Sequence, residues 1–242
     1  MLKKLYLVWA VFWVLTGFLI TMPLNLIFLS FKKTYPIAHF LRKIWAVFIF
    51  IPNRMMLKVH GKENLKGLKK WIYTPNHSSY IDIPATTLAL PGVLCFMAKV
   101  ELAKVPVFGY FFKTIDISVN RGSAVNAYNA FVEAGNRLDS GHQIPLIFPE
   151  GTIPKNAPNL GDFKIGAFKL AIERKVPIVP VTMIDNCKRF PDKKPLTATP
   201  GKLRVFIHRP IYTENLKAED APKLMKEVYC IIENKLKEYY PV

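Results

Sequence analysis

Negative charge is absent from the first quarter of this chain. No Asp or Glu precedes Glu63, while nine basic residues do: Lys3, Lys4, Lys32, Lys33, Arg42, Lys43, Arg54, Lys58 and Lys62. Cysteine is scarce and scattered. Cys95, Cys187 and Cys230 are odd in number and far apart, which excludes a disulfide framework and a zinc pattern and fits a reducing cytoplasm. His39, His60, His142 and His208 lie far from any Cys or His at ligand spacing, so metal binding finds no support. No internal repeat and no low-complexity linker is present, so no second soluble domain is needed. The apolar run over residues 1–22 is too long for a secretory signal, and no small-residue cleavage site follows it.

What is present is apolar length and positive charge. A chain of 242 residues has room for one domain with a full hydrophobic core. Its 34 basic residues against 17 acidic give a net charge of +17, which suits anionic partners: acidic lipid headgroups, nucleic acid or a phosphorylated substrate. The early basic residues flank two apolar stretches, 5–29 and 44–56, an arrangement that the anionic cytoplasmic leaflet attracts. About 20 apolar residues suffice to span a bilayer. Pro23 and Asn25 interrupt the first run late, however, and Thr16-Gly17 loosen it earlier. Positive charge at both ends gives no orientation for a span. Residues 1–56 therefore read as a membrane-inserting helical hairpin that enters one leaflet and returns, with a core that folds without residues 1–43.

Residues 57–242 read as an α/β domain. Short apolar runs at 57–60, 71–74, 93–97, 115–119, 145–148, 178–183 and 203–207 are strand candidates, and their continuous apolar character suits strands buried on both faces. Helical patterns at 83–90, 124–140, 165–174 and 218–239 alternate with them. This alternation predicts a mixed, largely parallel sheet flanked by helices.

The most informative segment is Asn76-His77-Ser78-Ser79-Tyr80-Ile81-Asp82. Histidine exchanges a proton near neutral pH, and a carboxylate can fix its tautomer and stabilise its charged form. In a regular helix, residues five apart point roughly 140° away from each other. His77 and Asp82 can therefore meet only if the segment turns, with His77 outside a helix and Asp82 at its start. Thr74-Pro75 closes an apolar run and Pro84 suits a first helical turn, so the sequence permits this; Asp82 would also serve as an N-cap. Ser78 and Ser79 adjoin His77, but a Gly-x-Ser-x-Gly elbow is lacking, and the serines read as turn formers rather than nucleophiles.

Three further blocks follow: Val119-Asn120-Arg121-Gly122, Phe148-Pro149-Glu150-Gly151-Thr152 and the strand-like run from Val176 to Val181. In this order the four blocks resemble those of the glycerolipid acyltransferase family, in particular its 1-acylglycerol-3-phosphate O-acyltransferase branch. Two positions depart from the family pattern. Ile153 stands where arginine usually follows Phe-Pro-Glu-Gly-Thr, and Val119 stands where phenylalanine is usual.

The resemblance implies transfer of a fatty acyl group to the 2-hydroxyl of 1-acylglycerol 3-phosphate, forming phosphatidic acid without an acyl-enzyme. It implies His77 as general base, oriented by Asp82. Arg121, helped by Lys99 or Lys164, would hold the acceptor phosphate, while Glu150, Gly151 and Thr152 would position the acceptor. The donor would be acyl-coenzyme A or acyl-carrier protein, with no metal or prosthetic group. The expected location is the cytoplasmic membrane, with the active site facing the cytoplasm and its lipid acceptor in an anionic membrane surface. Ile153 leaves another lysolipid acceptor open, including an amino-acid-derived one. A non-enzymatic basic protein that binds membrane or nucleic acid would explain the charge but not four ordered blocks. No nucleic-acid module is recognisable, and no nucleic-acid partner is expected.

Overall fold

The computed structural model describes residues 2–120 and 122–241. It begins with two helices, α1 (Leu2–Phe28) and α2 (Tyr35–Phe50), packed antiparallel. Trp45 Nε1 donates to the Val14 carbonyl at 2.9 Å, Tyr6 Oη donates to the Asn53 carbonyl at 2.6 Å, and Trp13 stacks on Phe48. Gly17 is needed at this interface, since a Cβ there would lie 2.6 Å from Cβ of Phe48. Pro23 interrupts the apolar run in the sequence, but α1 runs through it. A proline inside a helix removes one hydrogen bond, and here the long apolar helix and its partner outweigh that loss. Thr21 and Asn25 are buried and donate locally, Thr21 Oγ1 to the Gly17 carbonyl and Asn25 Nδ2 to the Thr21 carbonyl, while Asn25 Oδ1 has no partner among the described residues.

Seven strands form one sheet among the described residues: β1 (Met55–His60), β2 (Ile72–Pro75), β3 (Leu94–Lys99), β4 (Ile117–Val119), β5 (Ile144–Leu146), β6 (Ile178–Met183) and β7 (Gly201–Ile207). Their order is β1-β7-β6-β2-β5-β3-β4. Every pair is parallel except β6 with β7, so β1 and β7 form a reversed edge on a five-stranded parallel sheet. The expected mixed, largely parallel sheet is what the chain builds.

Alternation along each strand divides the core into two layers. Ile72, Cys95, Ile147 and Ile178 face α4 (Ala124–Asp139), α5 (Gly166–Glu173) and α7 (Ala221–Lys237). Tyr73, Phe96, Leu146 and Val179 face the opposite side, where α3 (Asp82–Ala89) lies. The hairpin covers that second side: Ala46, Ile49 and Phe50 of α2 pack with Ile81, Ala85 and Leu203. A buried ion pair fastens it. Arg42 grips Asp116, just before β4, through Nη1 and Nη2, and Phe96 and Phe111 flank the guanidinium.

The five parallel strands end on one edge, and there the loops gather. In open parallel sheets this edge, where successive crossovers leave to opposite faces, is where ligands bind. After β2 the chain turns into α3 on one face. After β5 it passes into α5 on the other, so a crevice opens between these strands.

Candidate active site

His77 stands just past β2 and Asp82 is the first residue of α3. Between them the chain makes a turn whose amides need acceptors. Asp82, wholly buried, supplies them: Oδ2 accepts from Ser78 N at 2.6 Å and Ser79 N at 2.8 Å, and lies 2.8 Å from His77 Nδ1. An ionised carboxylate only accepts, so Nδ1 carries the proton and Nε2 is left as the basic nitrogen. Asp82 is thus not the N-cap that the sequence suggested. Its side chain folds back onto the turn instead of capping helical amides, and Ile81 takes the cap position.

Oδ1 of Asp82 accepts from Asn186 Nδ2 at 2.6 Å. Asn186 opens the short helix α6 (Asn186–Arg189) after β6. Asp185 beside it is pinned to β7 by Arg204, whose Nε and Nη2 both reach the carboxylate at 2.7 Å. Asn76 clamps the start of the turn to β6, exchanging hydrogen bonds with Met183 N and O at 2.7 and 3.1 Å. Ser79 Oγ bonds the Phe190 carbonyl. The serines therefore shape the turn, and Ser79 Oγ is committed elsewhere than to a nucleophilic role.

Glu150 reaches the dyad from behind. Its Oε1 accepts from His77 N at 2.6 Å and its Oε2 from Gly161 N at 2.7 Å. The residue is only 4% exposed, and burial pushes its carboxyl up to about 7 against the pull of those two amides. Gly151 follows at φ +71°, a conformation suited to glycine, and its N–H closes a turn on the Phe148 carbonyl. Phe148 stacks on the imidazole of His77 with centroids 4.2 Å apart. The His77 side chain is 18% exposed, and no protein partner reaches Nε2 among the described residues.

Two cavities lie nearby, one against Phe148 and Glu150, which contact His77, and one against the turn itself. One of about 400 Å³ crosses the ends of β3, β4 and β5. Met97, Val119, Ile147, Phe148, Glu150 and Gly151 line it, together with the exposed Thr152 and Lys164. The other, about 220 Å³ and almost wholly apolar, runs from Tyr80 and Ile81 beneath the hairpin, between Val14, Trp45 and Phe108. Lys99 is exposed at the end of β3, on the same edge. Arg121 falls outside the described residues; its neighbours Asn120 and Gly122 close a turn just past β4, with Gly122 N donating to Asn120 Oδ1 at 3.0 Å.

A family model described as acyltransferase matches residues 56–184, just over half of the chain. The chain belongs to the acyltransferase family. It is 31% identical over 192 residues to a chloroplastic 1-acyl-sn-glycerol-3-phosphate acyltransferase of Brassica napus, covering 78% of this chain and 54% of that protein. It is also 31% identical over 173 residues to the human 1-acyl-sn-glycerol-3-phosphate acyltransferase alpha, covering 71% of this chain and 60% of that one. The chain thus spans little more than half the length of these curated relatives. Its fold is that of the crystal structure of the 1-acyl-sn-glycerophosphate acyltransferase PlsC from Thermotoga maritima, with a TM-score of 0.76, 22% identity and 98% of both chains covered.

Asn186, Asn76 and Phe148 gained no role from sequence reasoning. Phe148 was in view within its block, but nothing in a linear pattern says that its ring lies on His77. Asn186 left one usable signal: Asp185-Asn186 is a polar pair ending the largely apolar run of β6.

Proposed function

We propose that this acyltransferase acylates the 2-hydroxyl of 1-acylglycerol 3-phosphate to give phosphatidic acid, with a soluble thioester as donor. The observation that carries this reading is the His77–Asp82 pair, held at 2.8 Å with no protein partner on Nε2 among the described residues, beside one cavity lined by Tyr80 and Ile81 and another lined by Phe148 and Glu150, which contact His77. The acceptor hydroxyl gives its proton to Nε2 as its oxygen attacks the thioester carbonyl. The C–O bond forms, the C–S bond breaks, and the departing thiolate takes the proton back from Nε2. Asp82 stabilises the imidazolium between these two steps. Transfer is direct to the acceptor hydroxyl, and Ser79 Oγ is engaged with the Phe190 carbonyl.

Arg121, with Lys99 or Lys164, holds the acceptor phosphate, and the basic parallel edge supports that placement. Thr152 and Lys164 at the cavity rim meet the polar headgroup, while Glu150 and Gly151 fix the loop beside His77. The apolar cavity under the hairpin takes an acyl chain. The donor is acyl-coenzyme A or acyl-carrier protein, both anionic thioesters that suit a chain of charge +17.

The protein works at the cytoplasmic membrane with its active site toward the cytoplasm. α1 is long and apolar enough to cross a bilayer by length and composition. Yet it packs along α2, and α2 packs on the sheet, so a spanning α1 would drag the domain into lipid. Insertion into one leaflet fits this packing. The deciding experiment measures thioester consumption by the purified protein with a panel of lysolipids. Acceptor-dependent turnover with 1-acylglycerol 3-phosphate above all others is expected; preference for a lysolipid without phosphate would overturn the assignment.

A further inference from the structure

Between β3 and β4 the chain makes a long excursion, two short 3-10 segments over Val100–Lys104 and Phe108–Lys113. Val107 joins them at φ 63°, ψ −56°, with Phe108 N bonded to the Pro106 carbonyl at 2.6 Å. This is a γ-turn of the rare positive-φ hand, and a β-branched residue there is strained. The strain has an effect: it sends Phe108 inward, against Phe18, Trp45 and Phe112, and leaves Val105 and Val107 turned out at 42% and 49% exposure. Folding alone gives no reason to hold two valines outward on a strained tip.

The tip is not isolated. Its segment borders a groove shared with Leu26 of α1, and Tyr110 Oη meets Ser30 Oγ at 3.2 Å at the hairpin elbow. The exposed Leu24, Leu26, Ile27 and Phe31 belong to that same end of the hairpin. Lys32, Lys33, Lys104 and Lys113 are all exposed there, and none is in an ion pair among the described residues. Glu101 is the one exposed carboxylate in the excursion. An apolar tip ringed by unpaired lysines is complementary to an anionic bilayer surface, where the apolar groups enter and the ammonium groups meet phosphates.

We propose that the Val100–Lys113 excursion is a second membrane-docking element, which seats with the hairpin elbow on anionic lipid and fixes the tilt of the catalytic edge. The proposal rests on reading the hairpin as membrane-inserted. The excursion leaves the sheet directly after Lys99, at the edge where His77 stands, so seating it brings that edge to the lipid surface.

Environment-sensitive probes separate the two readings. NBD is attached to single cysteines replacing Leu19, Val107 or Lys226 in a Cys187→Ser, Cys230→Ser background, Cys95 being buried. The full-length protein is mixed with phosphatidylcholine vesicles containing 30% phosphatidylglycerol. Blue shifts at positions 19 and 107 with none at 226, on α7, are expected. A shift at 19 without one at 107 overturns the second element and leaves the hairpin standing. No shift at either position overturns both, and a shift at all three shows unspecific adsorption instead. V105S/V107S is expected to lower vesicle partitioning tenfold or more, the scale for withdrawing the exposed half of two valine side chains from lipid, with unchanged turnover of a water-dispersed short-chain acceptor. K104Q/K113Q should weaken binding to the anionic vesicles but not to pure phosphatidylcholine. If that pair instead raises the Michaelis constant for an acyl-carrier-protein donor and leaves partitioning alone, the patch docks the carrier protein and the proposal fails.

Discussion

Asp82→Asn isolates charge from shape at the catalytic turn. Oδ2 of Asp82 accepts three N–H groups, from His77, Ser78 and Ser79, and Oδ1 accepts one from Asn186. An asparagine with its oxygen in the Oδ2 position keeps all three. Its amide nitrogen then faces Asn186, whose Oδ1 is buried without a partner and can accept once that amide flips. The substitution therefore keeps the turn folded and removes only the negative charge. At about 4 Å and an effective dielectric near 20, that charge stabilises an imidazolium by about 4 kcal/mol, or about 10³ in rate. The check is thiol release from an acyl thioester in the presence of 1-acylglycerol 3-phosphate, alongside the unfolding midpoint. A drop of ~10² to 10³ with the midpoint held within a few degrees is expected. Turnover within threefold of the unsubstituted chain at an unchanged midpoint would refute the electrostatic role. Asp82→Ala is the contrasting control: it strands two turn amides at roughly 1–3 kcal/mol each and should lower the midpoint as well.

Arg121→Ala should raise the acceptor Michaelis constant tenfold or more and spare the donor's, since a charge-assisted phosphate contact contributes roughly 1.5–3 kcal/mol; steady-state kinetics with each substrate varied decides it. Glu150 gives a pH prediction. Its folded pKa of about 7 lies above the ordinary 4.5, so its contribution to stability is full below 4.5 and is lost, by about 3 kcal/mol, as pH rises through 7. The non-titrating E150Q should therefore gain on the unsubstituted chain by roughly 6–12 °C in midpoint between pH 5 and 8, and a gap independent of pH would count against it. A membrane-impermeant amine reagent should reach both Lys3 and Lys33 from the cytoplasmic side only; labelling of Lys3 from the opposite side would establish a span.

The legible parts of this molecule are the local ones. Each of the seven strands overlaps an apolar run that composition marks, because burial on both faces leaves a continuous signature in the central strands; β1 and β7, at the reversed edge, bury only alternate residues. Their order does not: β5 inserts between β2 and β3, and β7 turns back against β6, through contacts far apart in sequence. The dyad was legible because its two members sit five residues apart and a turn is the one geometry that joins them. Asn186, the donor that completes Asp82, is 104 residues further on, and no spacing rule reaches it. Pro23 interrupts the run in the sequence without ending the helix, for a related reason. Local propensity counts its missing hydrogen bond but not the partner helix packed along α1. Arg42 illustrates the same limit, since a basic residue beside an apolar stretch suggests a lipid headgroup, whereas its partner is Asp116, buried 74 residues away.

Deleting residues 1–43 is accordingly expected to unfold the core, against the division that composition suggested. The deletion removes α1, the first half of α2 and Arg42. Ala98, Phe111, Phe112 and Ile115, buried with Met22, Tyr35 and Ala38, would face water. Exposing a large apolar side chain costs about 1.5–3 kcal/mol. Asp116 would also stay beneath the surface without its guanidinium, and breaking one side of such a pair costs about 3–5 kcal/mol. Together these approach or exceed the roughly 5–15 kcal/mol that holds a domain folded. Arg42→Met in the full chain separates the two contributions, because it keeps the apolar packing and orphans only Asp116. It should lower the midpoint without loss of the cooperative transition, while the 44–242 fragment should show no cooperative transition at all. A fragment that melts cooperatively near the midpoint of the full chain would mean that the hairpin is a detachable anchor. Loss of folding would mean instead that the surface that enters the lipid and the helix that begins at Asp82 share one core, so that a shift of the hairpin is felt at His77.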